Sequence, residues 1–156
     1  MKHRGRYFSV VLTVIMAAIF AFSPCLQAQN KDAVAEGQKA IVEGAKRMMD
    51  GNKRIMAAVA KKGIKDPQLA AASEQMAKGY DMVVKGNEMM TGPTTAQGQG
   101  MMKKGAQMML GAQETTNTRV EKNGLAQVCA IDLHECHEAK TNMKNGLKGA
   151  FGGAGI

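Results

Sequence analysis

The chain of 156 residues carries 21 Lys and Arg against 13 Asp and Glu, 18 glycines, 14 methionines, three cysteines and no tryptophan. This length suits one small domain, and the modest positive charge of +8, interleaved with acids, excludes a basic arm of the kind that grips nucleic acid. No G-x-S-x-G elbow, H-E-x-x-H helix or P-loop lysine motif is present, so no enzyme is expected.

Lys2, His3, Arg4 and Arg6 form a basic start, residues 10–22 an uncharged apolar run, and Leu26-Gln27-Ala28 ends in a small residue. Together these features read as a secretory signal peptide over residues 1–28, cut after Ala28. Leu26 is bulkier than the usual residue three before a cut, so retention of the segment as an anchor is the alternative. Pro24 directly before Cys25 speaks against a lipoprotein signal.

The remaining 128 residues hold 18 Lys and Arg and 13 Asp and Glu, a net charge of +5. They contain no second apolar run near the ~18 residues a membrane helix needs. The expected mature protein is periplasmic or secreted, has no transmembrane segment and no nucleic-acid partner, and is weakly attracted to anionic envelope surfaces.

From Val34 a seven-residue unit repeats. Val34, Ile41, Met48 and Ile55 fall at one heptad position, and Gly37, Gly44, Gly51 and Ala58 at another three residues on. Large and minimal residues alternating at seven-residue spacing predict helices packed along a narrow stripe. Each interior glycine costs about 1 kcal/mol relative to alanine. Close approach of a neighbouring helix, with large side chains filling the space above the missing Cβ, would offset that cost. The opposite face carries Glu36, Glu43 and Asp50 three residues before Lys39, Lys46 and Lys53, the spacing of paired charges on a solvated face.

Asp66-Pro67 supplies an N-cap and a first helical residue for a second helix. Leu69, Met76, Val83 and Met90 repeat there at seven, with Ala72, Gly79 and Gly86 as their small partners. Thr94 with Gln97 offers a capping box for a third helix, in which Met102 and Met109 alternate with Gly98, Gly105 and Ala112. Asn123-Gly124 marks a turn. A fourth helix is expected from Leu125 to about Lys148 along Leu125, Cys129, Leu133, Cys136, Met143 and Leu147, without the glycine template.

The predicted fold is all-α: an antiparallel bundle of about four helices over residues 29–148 with Gly/Met heptad seams, then a flexible Gly-rich tail over residues 149–156. The alternative is two long helical hairpins that complete their core by dimerising, which makes a homo-oligomer one expected partner.

Site chemistry concentrates in "CAIDLHECHEAK", which holds both mature cysteines and both mature histidines. On one helix Cys129 and Cys136 are ~10.5 Å apart along the axis, beyond the ~7 Å Cα limit of a disulfide. Buried thiols, bonds to another chain or a bound group are the options. His134 lies three residues before His137 and four before Glu138, spacings that share a helix face. With Cys129, Cys136 and a methionine from another helix, sulfur and imidazole suit copper(I) or zinc.

"LHECH" resembles the end of the c-type haem attachment motif C-x-x-C-H at Cys136 and His137, with Leu133 in the first cysteine's place. That resemblance implies a thioether at Cys136 and iron ligation by His137, with His134 or a methionine as the second axial ligand. Twelve methionines follow the signal, four pairs of them adjacent doublets. Most fill seam positions, and the second member of some doublets is expected at the surface.

The sequence thus predicts an exported, non-enzymatic envelope protein that binds a soft metal at Cys129, His134, Cys136 and His137. The alternatives are a self-associating scaffold with buried or cross-linked cysteines, and a haem protein.

Overall fold

The computed structural model describes residues 4–90 and 94–152, with side chains from residue 31 onward. Helices α1 (Arg4–Lys61), α2 (Pro67–Glu88), α3 (Thr95–Lys122) and α4 (Ala130–Phe151) follow in order, and no strand occurs among the described residues. The protein is an all-α four-helix bundle. α1 runs unbroken through the expected cut after Ala28, and no described helix is long and apolar enough to cross a membrane.

The helices form two close pairs, α2 with α3 and α1 with α4; α1 also lies against α2, and α3 touches α1 and α4 more lightly. The two closest pairs, α2 with α3 and α1 with α4, are antiparallel and join where their glycines meet. A Cβ built on Gly79 would lie 2.7 Å from the Gly105 carbonyl oxygen, and one on Gly105 would lie 2.5 Å from that of Gly79. Gly86 and Gly98 face each other in the same way, at 2.7 and 2.6 Å, as do Gly37 and Gly146, at 2.7 and 2.6 Å. Real Cβ atoms do not tolerate such distances, so backbone meets backbone and only glycine fits.

Large side chains fill the intervals. Ile41, Met48 and Ile55 of α1, Met76 and Val83 of α2, Met102 and Met109 of α3, and Met143 of α4 are all fully buried. The heptads of the first three helices therefore stand as read. In α4 the template proves to be present: Ala139 and Gly146 are its small positions, and Cys136 and Met143 its larger ones, again at seven-residue spacing. Alanine in place of one glycine and cysteine in place of a methionine concealed it.

Three further expectations are corrected. Residues 126–129 form turns, so α4 begins at Ala130 and Cys129 stands at its N-cap. The tail does not fray from residue 149: Ala150 is buried beside the Gly37 backbone, α4 continues to Phe151, and Gly152 ends it at φ 59°. The remaining tail, residues 153–156, lies outside the described residues, as do residues 1–3 and 91–93. Thr94 makes no side-chain cap; its hydroxyl donates instead to the Met89 carbonyl at 3.1 Å, tying the end of α2 to the start of α3.

Between two apolar clusters, one around Ile41, Met109 and Met143 and the other around Ile55, Leu125 and Cys136, runs a polar layer. Asn52 and Gln113 are each only 1% exposed, and Thr116 is fully buried. Asn52 Nδ2 donates to Ser73 Oγ at 2.8 Å, and Gln113 Nε2 to Asn117 Oδ1 at 2.6 Å. The register of the facing glycines places Gly111 opposite Ser73 and Gln113 two residues further along α3, so α1, α2 and α3 contribute at nearly one level.

The cap at Asp66 forms as its sequence indicates and also joins two helices. One carboxylate oxygen accepts from the Gln68 and Leu69 amides at 3.0 and 3.2 Å. The other accepts from Asn123 Nδ2 and Arg119 Nε of α3, each at 2.8 Å. The hydrogen bonds from Asn123 and Arg119 hold the Asp66 carboxyl down at about 2.

Gly105→Ala and Gly111→Ala, six residues apart in α3, should shift urea unfolding in opposite directions. A Cβ at Gly111 meets nothing within 4 Å, so alanine there should stabilise by about 0.5–1 kcal/mol. Alanine at Gly105 should destabilise by about 1–3 kcal/mol. Because Asp66 binds its proton more weakly folded than unfolded, its contribution is complete above pH ~4 and lost as pH falls through ~2. Thermal unfolding of Asp66→Asn should accordingly lose less stability than the native protein between those pH values.

Candidate functional site around Cys129 and Cys136

Cys136 occupies the third notch of the α1 seam. Its sulfur sits where a side chain on Gly51 would begin, and Sγ–H points to the Met48 carbonyl at 3.9 Å. Cys129, just before α4, turns into the same apolar cluster with Ile55, Val59, Leu69, Val120 and Leu125. Both thiols are free and fully buried. Leu133 and Met56 pack against the edge of the cluster.

Burial sets the chemistry of these thiols. It raises the Cys136 thiol to about 11, with the Arg54 guanidinium opposing and Asp132 and Glu135 reinforcing the shift. Cys129 is raised too, first by burial and then by Asp132. A thiol held protonated is a poor nucleophile and a poor metal ligand at neutral pH.

The histidines point elsewhere. His134 and His137 are exposed, and His134 Nε2 lies 3.5 Å from Glu138 Oε1 of the same helix. Adjacent residues on a helix differ in direction by about 100°, and that angle separates the Cys136 sulfur in the core from the His137 ring in solvent. The four residues singled out in the sequence thus divide into two inward sulfurs and two outward imidazoles. Among the described residues, no three His, Cys, Asp or Glu side chains gather as a metal site would require.

On the flank above the cysteines, Arg54 of α1 bridges Asp132, at 2.5 Å, and Glu135 of α4. The two acids, first through the Asp132 hydrogen bond, raise the Arg54 pKa above its ordinary value. This tie secures α4 over α1 beside the Cys136 notch. The sequence reading missed it because the partners are 78 and 81 residues apart.

None of the twelve methionines after residue 28 is exposed: five are buried and the rest, including Met49, Met89, Met101 and Met108, are half-buried. The surface sulfurs expected from the doublets are absent. Helices this close have broad flanks on which a flexible thioether lies down over its neighbours.

Both thiols should resist a water-soluble disulfide reagent in the native protein at neutral pH and react fully in denaturant. Cys136→Leu should destabilise by about 1–3 kcal/mol, because the Gly51 notch cannot admit a longer side chain, whereas Cys136→Ala should leave the bundle folded in chemical denaturation. Compared with protein-family models, curated proteins and solved structures, the chain shows no significant match, so the fold and these residues alone carry the functional reading.

Proposed function

We propose that the chain is an exported, non-enzymatic structural protein of the cell envelope, a narrow helical bundle in which Cys129 and Cys136 serve as core packing groups. The observation that carries this reading is the Cys136 sulfur seated in the Gly51 notch and fully buried, where burial pushes its thiol up to about 11. Free cysteine behaves there as a small apolar residue of the right volume. The outward histidines have no buried partner with which to form a nucleophilic pair, which supports the non-enzymatic reading. Export rests on the basic, apolar and small-residue pattern of residues 1–28.

Soft-metal binding is the second reading, favoured by one specific observation. Cys129 and Cys136 share a single cluster, and Met56 packs against it. Three sulfurs, from α1, from α4 and from the turn that leads into it, match the preference of copper(I) better than that of zinc. This set replaces the imidazoles with a thioether and needs both thiols to lose their protons.

Titration of the reduced protein with copper(I) against a competing chelator separates the two readings. The structural reading expects no stoichiometric uptake and native-like folding of Cys129→Ala with Cys136→Ala. One equivalent of copper(I) retained by the native protein and lost in that double variant would overturn it in favour of the metal.

A further inference from the structure

The polar layer between the two apolar clusters is not closed by its own hydrogen bonds. Asn52 and Gln113 each bring one amide nitrogen and one amide oxygen into the core, and only the nitrogens have a partner, Ser73 Oγ at 2.8 Å and Asn117 Oδ1 at 2.6 Å. Asn52 Oδ1 and Gln113 Oε1 accept nothing, and among the described residues they are the two buried side-chain polar atoms left unmatched. With both residues 1% exposed, bulk solvent does not reach them. Turning either amide over would exchange its oxygen for its nitrogen and leave one atom unmatched all the same.

The buried hydroxyl and thiol of this region are already spent. Thr116 Oγ1 donates to the Ala112 carbonyl at 3.0 Å, and Cys136 Sγ points to the Met48 carbonyl. An amide oxygen has two lone pairs, and a low-dielectric core makes it costly to leave them unbonded. The side chains of the layer, Asn52, Ser73, Gln113, Thr116 and Asn117, are all neutral, so a cation among them would sit in the core without a compensating charge. The group that fits is small, neutral and a donor.

The helix register provides room for it. α2 and α3 touch backbone to backbone at Gly79 and Gly105, but seven residues on, toward the polar layer, the same register pairs Ala72 with Ala112. A methyl group on each side does not fit the glycine separation, so the two helices stand further apart near Ser73 and Gln113 than at the glycines.

We propose that Asn52 and Gln113 form an internal hydration site, in which water sealed between the two apolar clusters donates to Asn52 Oδ1 and to Gln113 Oε1. A water molecule brings two donors, carries no net charge and makes about three hydrogen bonds when buried among polar groups. It satisfies both unmatched oxygens without changing either existing amide bond. The site stands whether the cysteines pack or bind metal.

The test is oxygen-17 relaxation dispersion of the solvent around the purified protein, which reads water held inside longer than the protein tumbles and ignores exchanging hydrogens. The native protein should show such water. The double variant Asn52→Leu with Gln113→Met, which keeps the side-chain shapes and removes both amides, should lose it while keeping native circular dichroism. No long-lived water in the native protein, or an undiminished signal in the folded double variant, would overturn the proposal. Should that variant fail to fold, nuclear Overhauser transfer from water to the side-chain amide hydrogens of Asn52 and Gln113 in the native protein decides, and its absence at both would overturn the site. A signal present in choline chloride and lost in potassium or sodium chloride at equal ionic strength would make the occupant a monovalent cation and overturn the water assignment.

Discussion

Backbone-to-backbone contact at the glycines is the constraint from which the rest of the bundle follows. Where Gly79 meets Gly105, Gly86 meets Gly98 and Gly37 meets Gly146, a Cα–H of one helix faces a carbonyl of the other, with side chains such as Met109 and Met102 closing in beside the contact. Such contacts add weak C–H···O attraction of about 0.5–1 kcal/mol each. Their larger effect is geometric: they set the helix separation, and every other core residue must fit it. Ile41, Met76, Met102 and Met143 are large enough to fill the intervals, and methionine adapts its shape to them. The same constraint makes Cys136 a packing residue, because the space above Gly51 holds one sulfur.

Close helices with an apolar, methionine-rich seam could slide by a heptad and lose little, since each turn resembles the next. The polar layer opposes this. Asn52 continues the series Ala45, Asn52, Val59; Gln113 continues Ala106, Gln113, Val120; and Thr116 continues Met102, Met109, Thr116. A shift of α1 against α2 by seven residues would part Asn52 from Ser73 and leave its buried amide nitrogen unbonded, at about 1–3 kcal/mol, whereas Gln113 and Thr116 bond within α3. The layer marks one register among several that packing alone would allow, the role a single buried asparagine plays in coiled coils. Asp66 with Arg119 and Asn123, and Arg54 with Asp132 and Glu135, reinforce that register at one end of the bundle.

The heptads in α1, α2 and α3 were legible because periodicity is a local property, and so were the Asp66 cap and the Asn123-Gly124 turn. The heptad in α4 was not, since Ala139 and Cys136 carry the small and larger roles without looking like the Gly and Met of the other three. Of the candidate site, the sequence revealed where cysteine and histidine concentrate but not which way they face. A shift of helix phase by one residue, about 100°, decides whether His137 or Cys136 turns inward, and the α1 notch settles it for the cysteine.

The sequence by itself determined that the chain is helical, how many helices it makes, which stripe of the first three is buried and where the glycines lie, because these follow from spacing along one chain. Only the tertiary structure decided which glycine faces which, and that both thiols are sealed in one cluster while the histidines stay in water. The physical reason is that these outcomes depend on the relative register of helices separated by dozens of residues. No local pattern encodes that register; backbone contact and the buried polar layer select it together.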